Sequence, residues 1–437
     1  MLDERAQGIA LCPLITPCTE KALLHIQEGL FYARRNESAQ SDPLSTFIKH
    51  VTCAVCLVLL GVLLLSCQGS DSRLRIVKIG LVAPLSGEGF SEGYRWLYAA
   101  KEAIAAWNAA AASKPYRVEL VTYDEAEGPL VARRLAVDAD VLAVLGYQNG
   151  GTMTESLEAY REGDLGLLTV GAANDEPQPA QTPPYVFRLA PSQESLARAT
   201  GLFVKQQLRK PSAALVAGPT LQALASSEVF RVGASAVGLP IIRAEAVLPY
   251  STDYLSVIKR LQEAAAGIVL YSGSPADAQD FLRQITAQRA WTALPPILLT
   301  PSAAGPEVLR GVQAGLGEVY WVSPAADPQT SEAGRAFWEA YQDHWKEPPS
   351  PGATVVYDGT SLLLQAIESA MKGPHARPRQ AVMEYLQGLS LYRGLAQQYQ
   401  FDGRGQLLNP SAYFFRLDDG GFPGRFVAKV SVPASAR

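Results

Sequence analysis

From residue 76 to about residue 320 the chain alternates short apolar runs with longer amphipathic stretches. Ile76-Val-Lys-Ile-Gly-Leu-Val-Ala is a near-continuous apolar run ended by Pro84-Leu-Ser-Gly, the pattern of a strand covered on both faces. Residues 93–112 follow with Trp96, Ala100, Ile104 and Trp107 at three-to-four spacing, which predicts a helix with one apolar face. The same reading predicts strands over 118–123, 141–146 and 166–170, and helices over 129–138 and 152–162. Alternation at these lengths predicts an α/β fold, a parallel sheet with helices on both faces.

A Pro-rich turn over 177–184 leads into Tyr185-Val-Phe-Arg-Leu-Ala-Pro, an extended segment that reads as a crossover. The rhythm then restarts, with helices predicted over 193–208, 222–237, 254–265 and 276–288, and strands over 213–217, 241–246, 267–271 and 296–300. Two successive sets predict two similar doubly wound lobes. A strand over 318–322 and helices over 330–345, 353–371 and 379–388 complete no third set and are expected to return to the first lobe. Short strands near 398–401 and 412–417 flank the turn Asp402-Gly-Arg-Gly, and Asp418-Asp419 reads as an exposed hairpin tip. The boundaries drawn are 76–190 plus 323–397 for one lobe and 191–322 plus 398–437 for the other.

Charge and cysteine content narrow the possible partners. The 437 residues carry a net charge of −4 with Lys and Arg scattered, so no basic stripe marks a nucleic-acid partner. Cys12, Cys18, Cys53, Cys56 and Cys67 all lie near the start, and the first four lack the second ligand pair that a metal site needs. His25, His50, His344 and His375 are dispersed, so neither a metal nor a catalytic set is expected, nor any cofactor. Residues 51–65 are uncharged, follow Lys49 and His50, and end in Leu64-Leu-Ser-Cys, the form of a secretory signal over 49–66. The run is short of the roughly 20 residues a spanning helix needs. Residues 1–48 are expected to be a non-native upstream extension, with translation starting near Leu44 or Val51, and residues 67–75 a tether.

Leu64-Leu-Ser-Cys also resembles the lipobox of bacterial lipoproteins, which implies cleavage before Cys67 and a lipid anchor there. Ile79-Gly-Leu-Val-Ala-Pro-Leu-Ser-Gly with Gly93, Trp107-Asn108, Leu120-Val-Thr-Tyr-Asp, Val144-Leu-Gly, residues 167–174, Tyr185-Val-Phe-Arg, Tyr357-Asp-Gly and Phe401-Asp-Gly-Arg-Gly occur in that order. From Lys78 the chain therefore resembles type I periplasmic binding proteins, the leucine/isoleucine/valine-binding group of ABC transporter receptors. The resemblance implies two lobes joined by a three-segment hinge and closing on a small polar solute such as an amino acid or amide. It also implies a membrane permease and an ATPase as partners, a monomer, and no chemistry on the solute.

In doubly wound sheets, ligands bind outside the carboxyl ends of the strands. The small polar loops expected at that edge contribute Ser86 with Gly87; Tyr147, Gln148, Asn149, Gly150 and Thr152; Gly171, Ala172 and Asn174; Thr220; Ser272 and Ser274; and Ser302. Strand-to-helix turns with N-caps use the same residue types. By the resemblance, Gly150 stands where amino-acid binders hold the ligand carboxylate with Ser or Thr, and Ala173 where a Thr anchors the ligand backbone. Ser302 stands where an acidic residue receives the ammonium, and Ser274 at an aromatic position. A neutral or weakly charged polar solute fits these loops better than an amino acid does, with carboxylates accommodated by backbone N–H groups.

Two other readings compete. A ligand-sensing module for a membrane receptor has the same sequence features. A nucleotide-dependent oxidoreductase is imitated by Gly87-Glu-Gly-Phe-Ser-Glu-Gly after a strand, with Asp124 closing the next, but the last glycine is one residue late. Asp124 reads more simply as a solvated strand end or cap.

Overall fold

The computed structural model describes residues 74–431 apart from 88, 111–113, 172–182, 289–293, 313–316, 373–376 and 419–420. The expected signal and Cys67 lie outside the described residues, as do Ala172, Asn174 and Asp419.

The first sheet contains β1 (Arg75–Ala83), β2 (Tyr116–Asp124), β3 (Val141–Gly146), β4 (Gly166–Thr169) and β5 (Val186–Arg188) in the order β2-β1-β3-β4-β5, all parallel. Every residue of β3 is buried, as a strand with helices above and below requires. Alternate residues of β1 feed two cores. Val77, Ile79, Leu81 and Ala83 pack with α1 (Phe90–Ala110) and with α8 (Glu332–Trp345), α9 (Pro351–Met371) and α10 (Pro378–Gln387). Val82 joins Val131 and Leu135 of α2 (Pro129–Val137) and Met153 and Tyr160 of α3 (Gly150–Glu162).

The second sheet runs β14 (Arg425–Ser431), β13 (Ser411–Leu417), β10 (Val319–Ser323), β9 (Ile297–Leu299), β8 (Ile268–Ser272), β6 (Ala213–Ala217), β7 (Ile241–Ala246). Its parallel part is β6, β7, β8, β9 and β10. The antiparallel pair β13 and β14 extends it, and β11 (Tyr392–Arg393) with β12 (Gln398–Tyr399) forms a small separate hairpin. Leu196, Ala197 and Ala199 of α4 (Gln193–Leu202) and Phe230 of α5 (Leu221–Ala236) cover one face; Ile258 of α6 (Leu255–Ala264) and Phe281 of α7 (Pro275–Thr286) cover the other.

Three details correct the sequence reading. Of the segments expected to return to the first lobe, the helices do, whereas β10, which the boundary drawn at 322 leaves almost wholly in the second lobe, pairs with β9 and β13 in the second sheet. An apolar run identifies a buried strand but not which sheet edge receives it. The helix expected over 193–208 is α-helical only to Leu202 and continues as a π-turn over Phe203–Gln207. Strand β14 is not among the expected elements: five of its seven residues are exposed, and its apolar face of Phe426, Ala428 and Val430 is only partly buried. Asp418 does follow β13 in the β13–β14 hairpin.

The chain passes between the sheets three times, after β5, after β10 and after β12. The crossings are tied to one another. Arg188 N donates to Gly405 O at 2.8 Å and Ala326 N donates to Ala396 O at 2.8 Å. Gln397 Nε2 donates to Leu189 O. Gly405 sits at φ +72°, and a Cβ there would lie 1.9 Å from Val186 O, so the close backbone approach requires glycine.

Candidate functional site

The polar loops expected from the sequence leave the carboxyl ends of parallel strands in both sheets. In the first sheet they follow β1, β3 and β4; in the second they follow β6, β8 and β9.

In the first sheet the loops after β1 and β3 are held by two adjacent carboxylates at the end of β2. Asp124 Oδ1 accepts from Leu85 N and from Ala126 N, each at 3.1 Å. Burial opposes its charge, but the Ser86 side chain and the backbone N–H groups of Ala126, Leu85 and Ser86 hold its carboxyl below the usual range. Glu125 is 9% exposed, and its Oε2 accepts from Gln148 N at 2.7 Å and Asn149 N at 3.4 Å. Burial raises the Glu125 carboxyl, the Gln148 and Asn149 N–H groups oppose the rise, and the neighbouring Asp124 charge adds to it.

The turn that Glu125 holds is a kink. Tyr147 takes φ +64°, and its N–H donates to Val82 O at 3.0 Å, the last bond between the paired ends of β3 and β1. The Tyr147 side chain is fully buried, its hydroxyl 2.7 Å from that of Tyr160, so this predicted site residue contributes core packing and backbone shape. Gln148 and Asn149 are exposed beside it. Asn149 Oδ1 accepts from Thr152 N at 3.1 Å and so caps α3, whose first turn at Gly150 and Gly151 has N–H groups with no intrahelical acceptor. A Cβ at Gly89 would lie 3.0 Å from Gln148 Oε1, so the β1 loop rests against the β3 loop. Ser86 and Gly171 are exposed at the same edge.

In the second sheet several candidate hydroxyls are already engaged locally. Thr220 caps α5 by accepting from Ala223 N at 3.0 Å. Ser274 forms a capping box with Asp277, donating to Asp277 Oδ2 at 2.6 Å. Ser302 Oγ lies 3.2 Å from Thr300 Oγ1. The cap reading thus holds for Asn149, Thr220 and Ser274. Ser272 differs: it is 2% exposed, and its Oγ has no hydrogen-bond partner among the described residues.

Asp124 is a cap, as expected, and it also ties down Leu85. Its Oδ1 accepts from two backbone N–H groups, the role of a cap and loop tie that the simpler reading gives it. Glu125 and Gly89 were missed. The available signal was the carboxylate pair Asp124-Glu125 closing a strand, a place where burial of one carboxylate demands a donor. Among the described residues no group of His, Cys, Asp or Glu could hold a metal ion, and no helix is long and apolar enough to cross a membrane.

Two sheets with polar loops at the carboxyl ends of their parallel strands, joined by three crossings, agree with what comparison of the chain with known families finds. The periplasmic binding protein family model matches residues 76–421. The chain belongs to the periplasmic binding protein family. An amino acid binding protein from Pseudomonas aeruginosa is 22% identical over 363 residues, 80% of this chain and 93% of that protein. The crystal structure of a branched-chain amino acid transporter substrate binding protein from Streptococcus pneumoniae, in complex with isoleucine, superposes with a TM-score of 0.66 at 20% identity, covering 82% of this chain and 100% of that one. A solute binding protein of an ABC transporter from R. palustris, in complex with benzoate, superposes with a TM-score of 0.64 at 16% identity, covering 83% and 98%. This periplasmic binding protein therefore has the type I fold with two parallel-sheet lobes.

Proposed function

We propose that this periplasmic binding protein is the solute receptor of an ABC transporter, and that it captures one small solute bearing a carboxylate or amide carbonyl. The lobes are residues 76–190 plus 323–397 and 191–322 plus 398–437, and they close on the solute from both carboxyl edges. Cys67 carries the lipid anchor, and the closed form docks on a membrane permease that works with an ATPase. The solute itself undergoes no reaction.

One observation carries this reading: the predicted polar loops leave the carboxyl ends of parallel strands in both sheets. A solute that touches both sets only when the lobes are shut shifts the population toward the shut form. The first turn of α3 supplies N–H groups for an oxygen anion or carbonyl. Gln148, Thr152, Ser302 and the unpartnered Ser272 hydroxyl supply orienting polar groups, while Asn149, Thr220 and Ser274 shape the loops as helix caps.

Of the carboxylates near these loops, Asp124 and Glu125 are committed to backbone N–H groups and Asp277 to Ser274, while Glu307, beside Gly305 and Pro275, is exposed and offers no buried partner. A buried ammonium without a carboxylate partner costs several kcal/mol, on the order of 3–5. That favours a carboxylate or amide over a zwitterionic amino acid. The ligands named for the two neighbouring structures, isoleucine and benzoate, share a carboxylate and not an ammonium. A thermal-shift panel of benzoates, short aliphatic carboxylates, amides and branched-chain amino acids tests the class. A ligand at a hundred times its Kd stabilises by about 2.7 kcal/mol. Stabilisation by a carboxylate or amide is expected; stabilisation by leucine-like amino acids alone, or by nothing in the panel, contradicts the reading.

A further inference from the structure

We propose that Glu125, assisted by Asp124, is a positioning residue that holds the β3 loop of the first sheet in its solute-receiving shape without touching the solute. The inference rests on the reading of that edge as the solute site.

A glutamate is seldom this buried unless it has partners. Those found for Glu125 are the N–H groups of Gln148 and Asn149, which follow the left-handed Tyr147. With Tyr147 turned onto Val82 O, the next two N–H groups fall outside both the sheet ladder and the helix. Although the two side chains are exposed, their N–H groups point inward to part-buried bonds, and one carboxylate oxygen of Glu125 accepts from both. The Asn149 that receives this support is the N-cap of α3, so Glu125 sets where the first turn of α3 begins. Asp124, one residue earlier, accepts from Leu85 N and so fixes the β1 loop, which in turn meets Gln148 at Gly89. β2 is the edge strand, one place removed from β3, so the reach of Glu125 across the end of β1 joins three loops into one surface.

Hydrogen–deuterium exchange by mass spectrometry on wild type, Glu125→Ala and Glu125→Gln tests this, with benzoate and L-isoleucine as probes. In Glu125→Ala, exchange in peptides covering 147–152 is expected to rise at least tenfold while β3 and β4 stay protected. Glu125→Gln keeps an acceptor oxygen and is expected to restore most of the protection. A purely global role would instead raise exchange throughout the first sheet and lower Tm in proportion; that outcome, or unchanged exchange at 147–152, overturns the proposal. If the loop loosens as expected but neither probe protects 147–152 in wild type, the positioning role stands and the assignment of this edge to such solutes fails.

Discussion

Tyr399 donates its hydroxyl to Asp358 Oδ2 at 2.9 Å, joining the middle of α9 to the hairpin that precedes the third crossing. The same carboxylate accepts from Leu395 N and Ala396 N, each at 2.7 Å, and Ala396 O in turn accepts from Ala326 N of the second crossing. One buried carboxylate therefore organises the place where the two lobes are joined.

Burial pushes the Asp358 carboxyl from 3.8 up to about 7, against the pull of the Leu395 and Ala396 N–H groups and the Tyr399 hydroxyl. Between those values the folded chain holds a proton that the unfolded chain has released. The contribution of this group to stability is therefore greatest below about pH 4 and declines as pH rises toward 7. At about 1.36 kcal/mol per pH unit the full span is about 4 kcal/mol. Urea unfolding of wild type and Asp358→Asn at pH 5 and pH 8 checks this: the advantage of wild type over the variant should shrink at the higher pH. A constant difference contradicts it.

Gly394→Ala should destabilise the same junction. Its Cβ would lie 2.2 Å from Asp358 Oδ2 and 2.6 Å from Tyr399 Cε2. Overpacking of this kind costs about 1–3 kcal/mol, measurable as a lower denaturation midpoint with an unchanged m-value.

Arg379 gives the complementary case at the opposite end of the first sheet. Its guanidinium donates to the carbonyls of Val141, Ala136, Gly163 and Asp138, closing the carboxyl ends of α2 and α3 against the start of β3. Arg379→Ala should cost about 2–4 kcal/mol, because carbonyls lose a shared donor. Arg379→Lys should recover little, since an ammonium cannot span the four acceptors. Solute affinity, measured by calorimetry, should stay within twofold of wild type, as the solute loops lie at the other edge.

Ser272→Ala separates a solute contact from a buried defect. Removing a buried hydroxyl that has no partner should leave the empty protein as stable as before, or more stable by about 1 kcal/mol. The Tm gain produced by the solute should become smaller. An undiminished gain removes Ser272 from the site.

The two lobes were legible in the sequence because strands such as Val141–Gly146 and Ala213–Ala217 are buried on both faces and read as apolar runs between amphipathic helices. The edge strand β14 was not, since it is largely exposed and Arg425 and Lys429 break up its short apolar stretch. Loop positions were legible from strand ends, but side-chain roles within them were not. Asn149, Thr220 and Ser274 look alike as solute contacts and as helix caps, and only the hydrogen bonds show them capping. Tyr147 looked like a polar loop residue; its left-handed backbone turns the ring into the core. The grip of Glu125 on Gln148 depends on β2 lying beside β1, a long-range pairing that local pattern does not encode.

The central claim is that one small solute is gripped by the carboxyl edges of both sheets. Hydrogen exchange with and without the most stabilising member of the solute panel measures this directly. Protection is predicted together at residues 147–152 of the first sheet and at 218–220, 272–274 and 300–302 of the second. Protection confined to one sheet, or found at neither edge, would contradict the account.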